Sequence, residues 1–184
     1  FAPSSITSSG SRVVLGIPHV NSGQGIVQLI ENQKGSWNID GVLMNDKASS
    51  ANLYGHDVSQ HENILAVGAP GTNGSGAVYI YKQSGQGYGF EAKLFAPRAS
   101  NTAFGYSVDV YRDEEGRAYV AVGGPGINLD TGQITNPGHC YVYRADASDY
   151  SSWSLILSCI SHEPKSLLGI DVDIEQMDNG LVMA

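Results

Sequence analysis

The chain has 184 residues, 18 acidic and 10 basic, for a net charge of -8. Its lysines and arginines are scattered, which excludes the clustered basic surface that a nucleic-acid partner requires. No apolar run approaches the roughly eighteen residues of a membrane-spanning helix; the 23 glycines point to many turns around one sizeable core.

One unit returns every fifty to sixty residues. Val13-Val14-Leu15-Gly16-Ile17-Pro18 comes back as Leu65-Ala66-Val67-Gly68-Ala69-Pro70, and again as Val120-Ala121-Val122-Gly123-Gly124-Pro125. A fixed period of this length signals a repeat architecture. The first unit opens with Phe1-Ala2-Pro3; its third strand is expected over 25–30, and Trp37 opens the fourth. The second begins at Tyr54-Gly55, with strands expected over 54–59, 63–67, 76–82 and 90–95. Segment 76–82 alternates apolar and polar residues with period two, as a half-buried strand does. Gly68-Ala69-Pro70-Gly71 and Ser84-Gly85-Gln86-Gly87 are turns. The third unit begins at Phe104-Gly105, with strands expected over 104–110, 118–122, 139–144 and 153–157; a fourth starts at Leu168-Gly169 and turns at Asp178-Asn179-Gly180. Trp37, Phe90 and Trp153 each open a fourth strand and are expected to fill space between neighbouring sheets. No segment reads as a helix.

The expected class is therefore all-β. Residues 1–184 form one segment of a β-propeller, with four-stranded blades over about 1–45, 54–97 and 104–159 and a partial blade over 168–184. The strict repeat favours this over a side-by-side sandwich. About three and a half blades leave an apolar flank at each end, so a fragment of a larger propeller, or a subunit completed by neighbours, is expected.

Tyr54-Gly55 with Gly68-Ala69-Pro70, and Phe104-Gly105 with Gly123-Gly124-Pro125, resemble FG-GAP repeats, the blades of the seven-bladed propeller of integrin α-subunits and related extracellular proteins. The resemblance covers nearly the whole chain. It implies that the aromatic-Gly strand lies innermost, that one face binds a protein or glycan, and that the hairpin between strands one and two often holds calcium. Here Asp113, Glu115 and Gly116 fall near the calcium positions, whereas Tyr111 and Tyr119 stand where carboxylates would be expected. The expectation is solvated acidic turns and no cofactor, with Asp113 and Glu115 the only calcium candidates.

The partner-binding rim is expected in the loops between strands two and three: 19–24, 71–76 and 126–138. The last is the longest, and loops of that length are often functional; Asn128, Asp130, Gln133 and Asn136 are its candidate contact residues. Cys140 and Cys159 lie on strands that should be antiparallel neighbours, so a disulfide is favoured over two buried thiols. Asn73-Gly74-Ser75 is a glycosylation acceptor triplet in a loop. Both features fit a secreted or cell-surface protein. None of the five histidines belongs to a spaced metal motif, and no nucleophile elbow is present. The expected function is a non-catalytic extracellular interaction or adhesion module. Alternatives are a subunit of an extracellular filament or coat, or a propeller hydrolase or lyase with an axial site. His56, Asp57, Asp109 and Asp171 would be that site's only groups here. Recurrence of Asp57 and Asp109 at places matching Asp171 and Asp173 argues instead for structural acceptors of backbone hydrogen bonds.

Overall fold

The computed structural model describes residues 2–45, 50–85, 87–97, 102–147, 149–163, 165–177 and 180–184. Phe1 of the opening motif, Gln86 of the second turn, and Asp178 and Asn179 of the last turn lie outside the described residues.

The chain is all-β, with one short 3-10 turn at Thr72–Gly74. Each repeat folds into an antiparallel four-stranded meander. The first sheet is β1 (Ser5–Ser9), β2 (Arg12–Ile17), β3 (Ile26–Gln33) and β4 (Ser36–Leu43). The second is β5 (Val58–His61), β6 (Ile64–Ala69), β7 (Ala77–Ser84) and β8 (Gly87–Leu94). The third is β9 (Ser107–Arg112), β10 (Ala118–Gly124), β11 (His139–Asp146) and β12 (Asp149–Ile160). A hairpin of β13 (Ile174–Met177) and β14 (Gly180–Met183) follows.

The core lies between consecutive sheets. Leu65, Val67 and Ala69 of β6 cluster with Val14, Val27 and Leu29 of the first sheet. Their neighbours Ile64 and Ala66 cluster with Val120 and Val122 of the third. Tyr119, Ala121 and Val142 meet Val172 and Ile174 beside the hairpin. A strand covered on both faces must be apolar at every position, and β6 and β10 are buried throughout. In β2 only alternate residues are fully buried, because the first sheet has a partner on one face only among the described residues.

The aromatic-Gly pairs were expected to open the first strands over 54–59 and 104–110; instead they precede β5 and β9 in a tight turn. Gly55, Gly105 and Gly169 have φ of +82°, +84° and +82°, a left-handed conformation that glycine adopts at little cost. Gly55 and His56 N–H both donate to Gly68 O at 3.0 and 3.2 Å, and Gly105 and Tyr106 N–H do the same to Gly123 O at 3.0 and 3.2 Å. The turn then presses on the preceding sheet. A Cβ on Gly16, Gly68 or Gly123 would lie 2.1 Å from the carbonyl oxygen of Gly55, Gly105 or Gly169 respectively. A Cβ on Gly25 or Gly76 would lie 2.0 Å from Tyr54 O or Phe104 O. The repeated glycines are thus required for close approach of backbones. The aromatic ring enters the core: Tyr54 and Phe104 are fully buried, Tyr54 against Tyr79 at 5.3 Å and Phe104 against Tyr141 at 5.6 Å between centroids.

The recurring fourth-strand ring is also corrected. Register pairs Trp37 with Asn32 and Tyr88 with Gln83, whereas Phe90 pairs with Tyr81 and so corresponds to Ile39. Tyr88, rather than Phe90, is the counterpart of Trp37 and packs against the core between the first two sheets. Trp153 packs against the core between the second and third. Phe90 and Trp37 are exposed, Trp37 because its sheet has no preceding neighbour among the described residues.

Gly68→Ala should lower stability by about 3 kcal/mol, the upper range for forcing extra volume into a filled contact. Gly87→Ala, with nothing within 4 Å of the added methyl, should change it by less than about 0.5 kcal/mol. Urea unfolding midpoints of the two variants check the contrast.

Candidate functional site

Two concavities lie at places the repeat creates. The first is a cleft of about 280 Å³ where the β6–β7 and β10–β11 loops meet, lined by Pro70, Gly71, Gly74, Ile127, Asn128, Leu129 and Asp130, with Ala51 and Ala103 beside them. The long loop is internally braced. Asn128 N–H donates to Gln133 O at 2.8 Å, Gly132 N–H to Asn128 O at 2.8 Å, and Thr135 N–H to Gly126 O at 2.9 Å. Asn128 Oδ1 accepts from the N–H of Asp130 and of Thr131, both at 3.0 Å. Asn128 therefore shapes the turn, a role suited to a short amide side chain, and Asp130 is exposed on it.

Of the four contact residues expected from sequence, Asn128 and Asp130 line the cleft. Gln133 is exposed and Asn136 half-buried, and neither lines it. Sequence reasoning missed Ala51, which precedes β5. No sequence signal marks it; in the fold a Cβ on Gly71 would sit 1.8 Å from Ala51 O. Asn73 of the acceptor triplet is exposed on the 3-10 turn at φ +51°, next to Gly74 at the rim.

The second concavity is an open groove of about 430 Å³ along the first strands, lined by Ser5, Thr7, Asp57, Ser59, Asp109, Asp171 and Asp173 among others. Its polar side chains tie each unit to the next. Ser5 Oγ accepts from Val58 N–H at 3.2 Å and donates to Asp57 Oδ1 at 2.7 Å; Asp57 Oδ2 accepts from Val108 N–H at 2.7 Å. Two residues on, Thr7 Oγ1 accepts from Gln60 N–H at 3.2 Å and Ser59 Oγ from Val110 N–H at 3.2 Å. Ser59 Oγ in turn donates to Asp109 Oδ1, and Asp109 Oδ2 accepts from Ile174 N–H at 2.9 Å. Each oxygen caps a strand-edge N–H of the following repeat, as the recurrence of Asp57 and Asp109 anticipates. Burial pushes the Asp109 carboxyl up to about 6, and neighbouring Asp173 adds to the rise against the lowering effect of Ser59 and the backbone N–H groups.

His56 does not join this groove. Its Nδ1 is 2.9 Å from Tyr106 O, and its ring lies 4.4 Å from that of Tyr106. Burial lowers its pKa. Asp57, Asp109 and Asp171 come together without the histidine, and the first two hold backbone N–H groups.

Asp113 and Glu115 are both taken by Arg117. Asp113 accepts from Arg117 N–H at 2.8 Å, from Arg117 Nε at 2.7 Å and from Tyr119 OH at 3.2 Å, and Glu115 pairs with the same guanidinium. Burial opposes ionisation of Asp113, yet Arg117 and Tyr119 hold its pKa below the usual carboxylate value. The cationic position beside these two carboxylates is filled by Arg117. Among the described residues, no group of three or more His, Cys, Asp or Glu is arranged to hold a metal ion.

Cys140 and Cys159 face each other directly across β11 and β12, as their strands imply, but the disulfide is absent: both are thiols. Burial pushes the Cys140 thiol up to about 12, and its hydrogen bond with the Cys159 sulfur adds to the rise. Burial thus favours the protonated Cys140 over the thiolate that disulfide formation needs.

No protein-family model and no curated protein sequence matches the chain.

A carboxyl whose folded pKa is raised binds its proton more tightly in the folded state. It stabilises the fold in acid, and that contribution is lost as pH rises from about 4 through about 6. Asp173→Asn, which offers Asp109 an amide N–H in place of a second carboxyl, should flatten this loss. The difference between wild-type and variant urea midpoints across that pH interval measures it.

Proposed function

We propose that the three sheets and the hairpin are blades of an FG-GAP-type β-propeller, about three and a half of a seven-bladed ring. We assign it as an extracellular, non-catalytic module that binds a protein or glycan in the cleft between the β6–β7 and β10–β11 loops. The observation that carries this reading is the braced loop 126–138, whose hydrogen bonds hold Asp130 exposed at a concave site of about 280 Å³. A preorganised loop loses little conformational freedom on binding, which favours affinity. The stacking of first strand on first strand, and of each aromatic-Gly turn on the preceding sheet, supports the blade arrangement. The exposed Asn73 triplet fits a secreted or cell-surface setting. In this reading Asp113 and Glu115 are not offered as calcium ligands, since Arg117 pairs with both.

The axial-enzyme reading is weaker. Asp57 and Asp109 are engaged in joining repeats, and His56 is held against Tyr106 outside the groove.

Screening the protein against immobilised matrix proteins and glycans should identify a binder. Deleting residues 128–136 should abolish that binding while the β-type circular dichroism spectrum persists. Asp130→Ala should weaken it about tenfold, the loss of one charge-assisted hydrogen bond, whereas Gln133→Ala should leave it unchanged. Binding that survives the deletion overturns the assignment.

A further inference from the structure

The β6–β7 loop forms one wall of the cleft, and that wall is nearly bare of side chains. Pro70, Gly71 and Gly74 line it. Glycine is required at 71 and 76, because a Cβ there would lie 1.8 Å from Ala51 O or 2.0 Å from Phe104 O. Thr72 is buried and Ser75 half-buried. Asn73 and Gly74 are exposed, so the Asn73 carboxamide is the one exposed side chain that residues 71–76 offer to solvent.

The turn that carries it is tied down on both sides. Gly71 N–H donates to Asn52 O at 3.1 Å, Gly76 N–H to Thr72 O at 2.8 Å, and Phe104 N–H to Ser75 O at 3.0 Å. Asn73 stands in this turn in a left-handed conformation, φ +51° and ψ +26°, which asparagine tolerates better than most residues. Among the described residues neither its amide nor the Ser75 hydroxyl has a hydrogen-bond partner. The loop backbone is committed to the fold; these two side chains are not. Together they make the acceptor triplet for an N-linked oligosaccharide, and it is the only such triplet in the chain.

We propose that Asn73 carries an N-linked oligosaccharide, and that this sugar chain, rooted at the rim, screens the cleft from large partners. The inference rests on the reading of the cleft as an extracellular binding site. The co-reactant is an oligosaccharide joined to a lipid diphosphate. A bond forms between Asn73 Nδ2 and the anomeric carbon of the first sugar; the bond from that carbon to the diphosphate breaks, and one amide proton leaves with the released lipid diphosphate. Asn73 does not itself line the cleft, so the sugar stands at the mouth rather than filling it. Its root is next to Gly74 and two residues from Gly71, both lining residues. A bulky, hydrated chain held there sweeps the space above a concavity of only about 280 Å³. Occupancy of one asparagine then sets how large a partner reaches Asp130.

The test uses the full chain secreted from animal cells, with intact mass read before and after peptide N-glycosidase. The mass should exceed 19.5 kDa and fall on treatment, leaving an aspartate in place of Asn73. Ser75→Ala keeps the asparagine and should lose the added mass, whereas Ser75→Thr keeps a hydroxyl and should retain it. Screening is read without any partner. In Asp130→Cys, a maleimide bearing a long polyethylene glycol chain should label residue 130 about tenfold faster once Ser75→Ala is added; N-ethylmaleimide should label both proteins alike. The label is read on the peptide that holds residue 130, apart from Cys140 and Cys159. Circular dichroism identifies a variant that fails to fold, and enzymatic removal of the sugar from folded Asp130→Cys then supplies the comparison. An unmodified Asn73, or polymer labelling that ignores the sugar, overturns the proposal. Both readouts are independent of partner binding, so a cleft that binds nothing and an asparagine that carries nothing are told apart.

Discussion

The contact on which everything else depends is a peptide pressed between glycines. The Tyr54-Gly55 and Phe104-Gly105 turns sit so close to the preceding sheet that no Cβ fits at Gly16, Gly25, Gly68 or Gly76. That approach brings a fully buried aromatic ring to each junction and fixes the spacing of the sheets. It also places the first strands against one another, near enough for Ser5, Thr7, Asp57, Ser59 and Asp109 to cap the N–H groups of the next strand. A sheet edge left without such caps exposes unpaired backbone groups. Here the caps turn a row of edges into a continuous wall.

The wall explains why a groove rich in carboxylates need not be an active site. Ion pairs are not what holds Asp57 and Asp109; backbone N–H groups are. Asp109 is partly buried beside Asp173, which makes its proton costly to remove. The same economy of partners governs the β9–β10 hairpin, where Arg117 serves both Asp113 and Glu115. Polar chemistry in this chain is spent largely on joining repeats and closing turns. The braced loop 126–138 differs, because its hydrogen bonds are internal and leave Asp130 facing outward.

Much was legible without coordinates. Period-two alternation and the Gly-x-Pro punctuation located strands two to four of the second and third repeats and set their first strands three to four residues early, and the pairing of Cys140 with Cys159 followed from strand order. The cleft was half legible: Asn128 and Asp130 line it, Gln133 and Asn136 do not. Which residues of a loop turn inward depends on its internal bonds, and these leave little trace in composition. The aromatic-Gly pair misled as a strand start, because an aromatic residue favours strands while its glycine partner was serving a left-handed turn.

The amino-acid sequence by itself determined the repeat, the all-β class and the order of strands within each sheet, because alternation and turn chemistry act between residues close along the chain. Only the tertiary structure decided what meets across repeats. It packed Tyr88 rather than Phe90 against the core between the first two sheets, and within the third repeat it gave Asp113 to Arg117 and kept the cysteines as thiols. The physical reason is register. A single bulge shifts which side chains face the neighbour by one residue, and the hydrogen bonds of Asp57 and Asp109 that join repeats span 51 and 65 residues of sequence.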